Sequence, residues 1–129
     1  MSTLTMSISQ YTNPNFDLSL LNEIADGSPE FMSETISLFL QQVPELLEEI
    51  ETAAQLADWD AAGAAAHKLK STIGMFGMDG SLEIIQKIEH DTKKRENLQQ
   101  IGAHIGSAKS LIGTVYADLD QIRKNLDKA

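Results

Sequence analysis

The sequence predicts an all-α fold: an up-down antiparallel four-helix bundle with an additional short N-terminal helix. Three observations predict it. Apolar residues recur at three- and four-residue spacing over long stretches, the signature of helices with one buried face. Ala and Leu are abundant, whereas 129 residues contain only three Pro and eight Gly, which favours helix over strand. The connections between periodic stretches are a few residues long, which makes neighbouring helices antiparallel. A hydrophobic content of 42% supplies one core, and the length fits one domain.

The elements follow in order. Residues 1–15, rich in Ser, Thr and Asn and containing Pro14, read as a mobile tail, and residues 16–129 as the bundle domain. Phe16 to Ala25 carries Leu18, Leu21 and Ile24 at helical spacing, and Asp26-Gly27 ends this short helix. Ser28-Pro29-Glu30 is a start signal: a capping hydroxyl, proline at the first helical position, then an acid at the positive end of the dipole. The helix that follows runs to about Leu56. Met32, Ile36, Phe39, Leu40, Val43, Leu46, Leu47 and Ile50 form its stripe, and Pro44 is expected to kink it.

Asp58-Trp59-Asp60 reads as a turn and cap, with Trp59 closing one end of the bundle. The next helix, Ala61 to Phe76, turns Ala62, Ala65, Ala66, Leu69, Ile73 and Phe76 inward and ends at Gly77. Asp79 or Ser81 caps a fourth helix carrying Leu82, Ile85 and Ile88 to about Lys93. Lys93-Lys94-Arg95 makes a basic last turn, favourable at a helix C-terminus. Asn97 with Gln100 resembles a capping box. The last helix spans about Leu98 to Leu126 as one piece. On it Gly102, Ala103, Gly106 and Ser107 form a small-residue patch that reads as close helix packing.

Charge and composition exclude several classes of function. The net charge is −9, which argues against nucleic acid and against anionic membrane surfaces. Cysteine is absent, so disulfide, thiolate and zinc–cysteine chemistry drop out. No apolar run approaches the length needed to span a bilayer, and the first fifteen residues lack the basic start and apolar core of a signal peptide. A cytoplasmic monomer is expected.

One segment stands apart. Residues 1–67 hold eleven Asp and Glu and no Lys or Arg; the first cation is Lys68, beside His67. The helical neighbours of His67 are Gly63, Ala64, Lys70 and Ser71, with Gly74 one turn further on. The inward stripe leaves His67 pointing outward. Two glycines beside it cost about 1 kcal/mol each relative to Ala, which reads as room for an approaching partner rather than as packing. A neutral imidazole is a good nucleophile near neutral pH, histidine's reference pKa being about 6.5. Attack on a phosphoryl group leaves a phosphoramidate of about two negative charges, which Lys70, one turn away, can balance; Lys68 points about 100° aside. Met75 and Met78 are candidates for an adaptable apolar docking rim. No His-Glu-x-x-His pattern occurs, so no metal site is expected, and no phosphate-cradling glycine loop is present.

The stretch from His67 through Leu69 and Lys70 to Gly77 resembles the signature of histidine-containing phosphotransfer (HPt) domains, His-x-Leu-Lys-Gly followed by small residues and a Gly ten positions after the histidine. Ser71 stands where that family usually has Gly. The resemblance implies a helical bundle and a phosphoryl carrier rather than an enzyme in its own right. It makes His67 the phosphoryl acceptor, Lys70 its charge partner, and Glu89 on the next helix the group that orients the imidazole. It implies response-regulator receiver domains as partners in a multistep phosphorelay fed by a hybrid sensor histidine kinase, with Mg²⁺ on the receiver and no cofactor on this chain. Two other readings stand beside it: an adaptor that binds and sequesters a receiver without transfer, which Ser71 favours, and a metal carrier or small enzyme using His67, His90 and Glu89.

Overall fold

The computed structural model describes residues 12–128 of the chain. The part of the expected tail before Thr12 lies outside the described residues. Thr12–Asn13 (β1) and Phe16–Asp17 (β2) form a minimal antiparallel hairpin, pairing Thr12 with Asp17 and Asn13 with Phe16. The helices are α1 (Ser19–Ala25), α2 (Pro29–Gln55), α3 (Trp59–Met75), α4 (Asp79–Lys94), α5 (Ile101–Gly113) and α6 (Tyr116–Asp127), with a short 3₁₀ turn at Leu98–Gln100. Packing runs round a ring: α2 lies on α3, α3 on α4, α4 on α5, and α5 and α6 return to α2. This is the expected four-helix bundle, its fourth member built from two helices in line.

The hairpin and α1 differ from the helix expected to start at Phe16. The Asp17 carboxylate accepts hydrogen bonds from the Ser19 N–H (2.9 Å) and hydroxyl (2.6 Å), which turns the chain out of β2 and starts the helix three residues late. The Asp17 N–H donates to the Phe76 carbonyl at 3.0 Å, docking the hairpin on the end of α3. Leu18, Leu21 and Ala25 are buried, whereas Ile24, expected inside, is half exposed.

In α2 the Ser28 hydroxyl accepts from the Phe31 N–H at 3.1 Å, and the helix continues through Pro44 to Gln55. Met32, Ile36, Phe39, Val43, Leu47 and Ile50 are buried along one stripe. At mid-bundle the Phe39 ring sits 4.3 Å from Phe76 and 6.5 Å from Tyr116, centroid to centroid. α3 begins at Trp59, two residues early, because the Asp58 carboxylate caps it from outside by accepting the Ala61 N–H. Trp59 is half buried against the core.

Three other expectations are corrected. Leu98 to Leu126 is not one helix. Gly113 weakens it, the Thr114 hydroxyl bonds back to the Leu111 carbonyl, and Thr114 and Val115 N–H groups reach three residues back instead of four, a tightened turn before α6. Asn97 makes no capping box: it adopts a left-handed conformation, and only its carbonyl engages Gln100. On α5, Gly102 and Gly106 are exposed, and a Cβ on either would meet nothing within 4 Å among the described residues, so the small-residue patch does not mediate close helix packing.

Gly77 carries a tight constraint. It has φ +62°, and a Cβ there would lie 2.4 Å from the Asp17 carbonyl oxygen. Gly77→Ala is expected to destabilise the fold by about 2 kcal/mol or more, the sum of a left-handed alanine and the displaced hairpin. Urea denaturation monitored by circular dichroism measures this.

Candidate functional site

The site is built by the antiparallel register of α3 and α4. Going down α3, Asp60 meets Arg95 just past the end of α4, and Gly63 and His67 meet Thr92 and Glu89 on it. Arg95 donates to the Asp60 carboxylate at 2.7 Å and, through its other terminal nitrogen, to the Thr92 carbonyl. Gly63 lies directly against Thr92: a Cβ at Gly63 would be 2.8 Å from the Thr92 hydroxyl oxygen. That buried hydroxyl donates to the carbonyls of Ile88 and Glu89, each at 2.9 Å. Gly63 is therefore a packing glycine, contrary to the expectation that packing alone would not place it there. Gly74 is half buried and looser, with an added Cβ 3.9 Å from Leu82.

One turn beyond that contact, Glu89 meets two side chains of α3. Its Oε2 lies 2.6 Å from His67 Nδ1 and its Oε1 lies 2.9 Å from Lys70 Nζ. The Glu89 side chain is 19% exposed and the imidazole 68% exposed. Burial pushes the Glu89 carboxyl up, but hydrogen bonds from Lys70 and His67, with the charges of those groups, outweigh it and hold it below the ordinary glutamate value. A carboxylate only accepts hydrogen bonds, so Nδ1 carries the hydrogen and Nε2 of the neutral ring keeps its lone pair. The result is an anchored imidazole whose unshared pair belongs to the nitrogen away from Glu89, a geometry suited to nucleophilic attack.

The remaining expected residues fall into three groups. Lys68 is exposed and lines a groove beside His67 of about 470 Å³, together with Gly63 and Glu89. Ser71 is exposed too, and its hydroxyl turns back to donate to the Lys68 carbonyl at 3.3 Å. Met75 is half buried against the core. Met78 is 1% exposed, so it is a core residue and not part of a docking rim; the turn at Gly77 points it back into the bundle.

Sequence reasoning missed the other walls of the groove. Trp59 and Asp60 come from the start of α3, and Lys93 and Arg95 from the end of α4. The basic triplet Lys93-Lys94-Arg95 was the available signal, but it reads equally well as a complement to the helix dipole. Only the register of the two helices brings it beside His67.

The bundle thus carries on α3 an outward-facing histidine anchored by a carboxylate of α4. The family model of the Hpt domain matches residues 34–129, and the chain belongs to the Hpt domain family. Among curated proteins, the phosphorelay intermediate protein rdeA of Dictyostelium discoideum is 26% identical over 125 residues, an alignment covering 94% of this chain and 49% of that protein. The chain thus spans about half the length of that relative. No solved structure matches it. Among the described residues, no helix is long and apolar enough to cross a membrane.

The depressed Glu89 value fixes the sign of a pH effect. A carboxylate whose folded pKa is lowered contributes stability above its unfolded value, about 4.3, and loses it as pH falls through the lower folded value. The stability difference between wild type and Glu89→Gln is expected to shrink as pH falls through that range. Urea denaturation at a series of pH values down to about pH 3 tests this; a difference independent of pH would refute it.

Proposed function

We propose that this chain is a histidine phosphotransfer protein of a multistep phosphorelay, with His67 as the phosphoryl acceptor. The observation that carries the reading is the 2.6 Å contact between His67 Nδ1 and Glu89 on a ring that is otherwise largely exposed. Nε2 attacks the phosphorus of a receiver's aspartyl phosphate. The N–P bond forms as the P–O bond breaks, and the aspartate carboxylate leaves with the electron pair. Nδ1 keeps its hydrogen, and the positive charge that develops on the ring is stabilised by Glu89. Lys70 is the cation closest to hand for the phosphoryl oxygens, and the groove with Lys68, Gly63 and Arg95 gives the receiver an open approach. Reversal of the same step on a second receiver passes the group on.

On this reading the chain is a carrier, and Mg²⁺ belongs to the receiver, where it offsets phosphoryl charge. The phosphoryl originates on a hybrid sensor histidine kinase, and the chain acts in the cytoplasm as a monomer without nucleic acid or membrane partners. The net charge of −9 supports the last two points.

Transfer from a phosphorylated receiver domain, scored as acid-labile label, tests the proposal. Wild type should label and His67→Gln should stay at background. Lys70→Ala should slow transfer by about ten- to a hundredfold, the equivalent of one charge-assisted hydrogen bond in the transition state. Equal label on His67→Gln, or label from ATP without another protein, would overturn the reading. Binding of receivers without any transfer would replace it by the adaptor reading, with Ser71 as the obstacle to close approach.

A further inference from the structure

We propose that the C-terminal turn of α4 is a binding site for a zinc-type divalent cation, held by His90, Asp91 and Glu96. The three residues each offer a ligand atom, and these atoms lie within 4.8 Å of one another. The chain reverses at Arg95, which adopts a left-handed conformation with φ 57°. The Glu96 N–H then donates to the Asp91 carbonyl at 2.9 Å, and this closure carries the Glu96 side chain back over the last turn. A sequence pattern does not reveal the site, because its third donor arrives only through that reversal.

Asp91 supplies the independent observation. It is 1% exposed, and among the described residues its Oδ2 has no hydrogen-bond partner. A buried carboxylate oxygen left without a donor is uncommon and calls for a cation. The Asp91 ion pair with Lys87 Nζ, at 3.8 Å, is too long for a hydrogen bond, and the lysine side chain is half exposed.

One pair already has the separation of a small tetrahedral ion's ligands, and the third donor lies within 4.8 Å of both. Zinc held at about 2.0–2.1 Å by nitrogen and oxygen ligands sets those ligands about 3.4 Å apart. His90 Nε2 and Glu96 Oε2 are 3.4 Å apart, longer than a charge-assisted hydrogen bond, which spans about 2.7–2.9 Å. Both side chains are 58% exposed, so they can close on an ion without disturbing the core. One imidazole and two carboxylates match the borderline character of zinc and balance its two charges, with solvent completing the shell. The site is separate from His67 and Lys70, and the proposal does not depend on the phosphotransfer reading.

Titration of the full chain with zinc chloride by calorimetry, with Co²⁺ as a spectroscopic substitute, tests it. Wild type is expected to bind one equivalent, to gain thermal stability in proportion to ligand excess, and to give cobalt the intense visible bands of a four-coordinate site. Loss of even an outer-shell partner costs a metal site about 10–100-fold, so His90→Ala and Glu96→Gln should each weaken binding by more than about tenfold. Asp91→Asn should weaken it as well, Lys87→Met should tighten it, and His67→Gln should leave it unchanged. If Asp91→Asn fails to fold, the two exposed ligands still decide the matter. No binding at about 100 µM zinc, or wild-type affinity in both His90→Ala and Glu96→Gln, would overturn the proposal.

Discussion

The close approach of α4 to α3 at Gly63 determines where every polar group around His67 lies. With no side chain at Gly63, Thr92 can settle against the α3 backbone, and its hydroxyl is spent within its own helix on Ile88 and Glu89. No polar atom of that contact needs water, so the helices can be drawn together. One turn away, the same separation lets a glutamate side chain reach across to α3. A wider spacing would leave Glu89 short of the imidazole, and Lys70 without its carboxylate. The packing glycine and the orienting glutamate are therefore one feature seen from two helices.

Electrostatics adds a second layer. All ten Lys and Arg lie from Lys68 onward, so α2 and the start of α3 form an acidic flank and the cations begin only in the second half of α3. Glu89 sits where the two meet. Its carboxylate engages a lysine and a histidine at once, with one oxygen for each. The lysine is thereby held near the ring in advance, instead of wandering on its four-carbon stem. An arriving phosphoryl group would compete with Glu89 for that lysine over a short distance, a small rearrangement compared with recruiting a distant cation.

Much of this was legible in the sequence. Helical periodicity gave the bundle because each stripe buries a contiguous face, and the caps at Ser28 and Asp58 follow directly from side-chain chemistry next to a helix start. His67, Lys70 and Glu89 were legible as a group through family resemblance, although residue spacing alone could not bring Glu89 to the ring. What escaped has a common cause. The hairpin at Thr12 to Asp17 exists because Phe76 offers it a carbonyl, Gly63 is small because of Thr92, and Met78 turns inward because Gly77 reverses the chain. Each depends on a partner distant in sequence or on a backbone reversal that periodicity does not encode. The break at Thr114 is different: the local signals were present, but a continuous apolar stripe from Ile101 to Leu126 masked them.

The exposed face of α5 has a consequence for motion. Gly102, Gly106 and Gly113 all face open space among the described residues, and each costs a helix about 1 kcal/mol relative to Ala. No packing at these positions offsets that cost, so α5 is held chiefly by Ile101, Ile105, Ala108 and Ile112 on its inner side. Its amides should exchange with solvent through openings that leave α3 and α4 intact, making α5 the bundle's least cooperative member. Fluctuation is thereby concentrated on the wall diagonal to α3, and the helix that bears His67 is left in the rigid half.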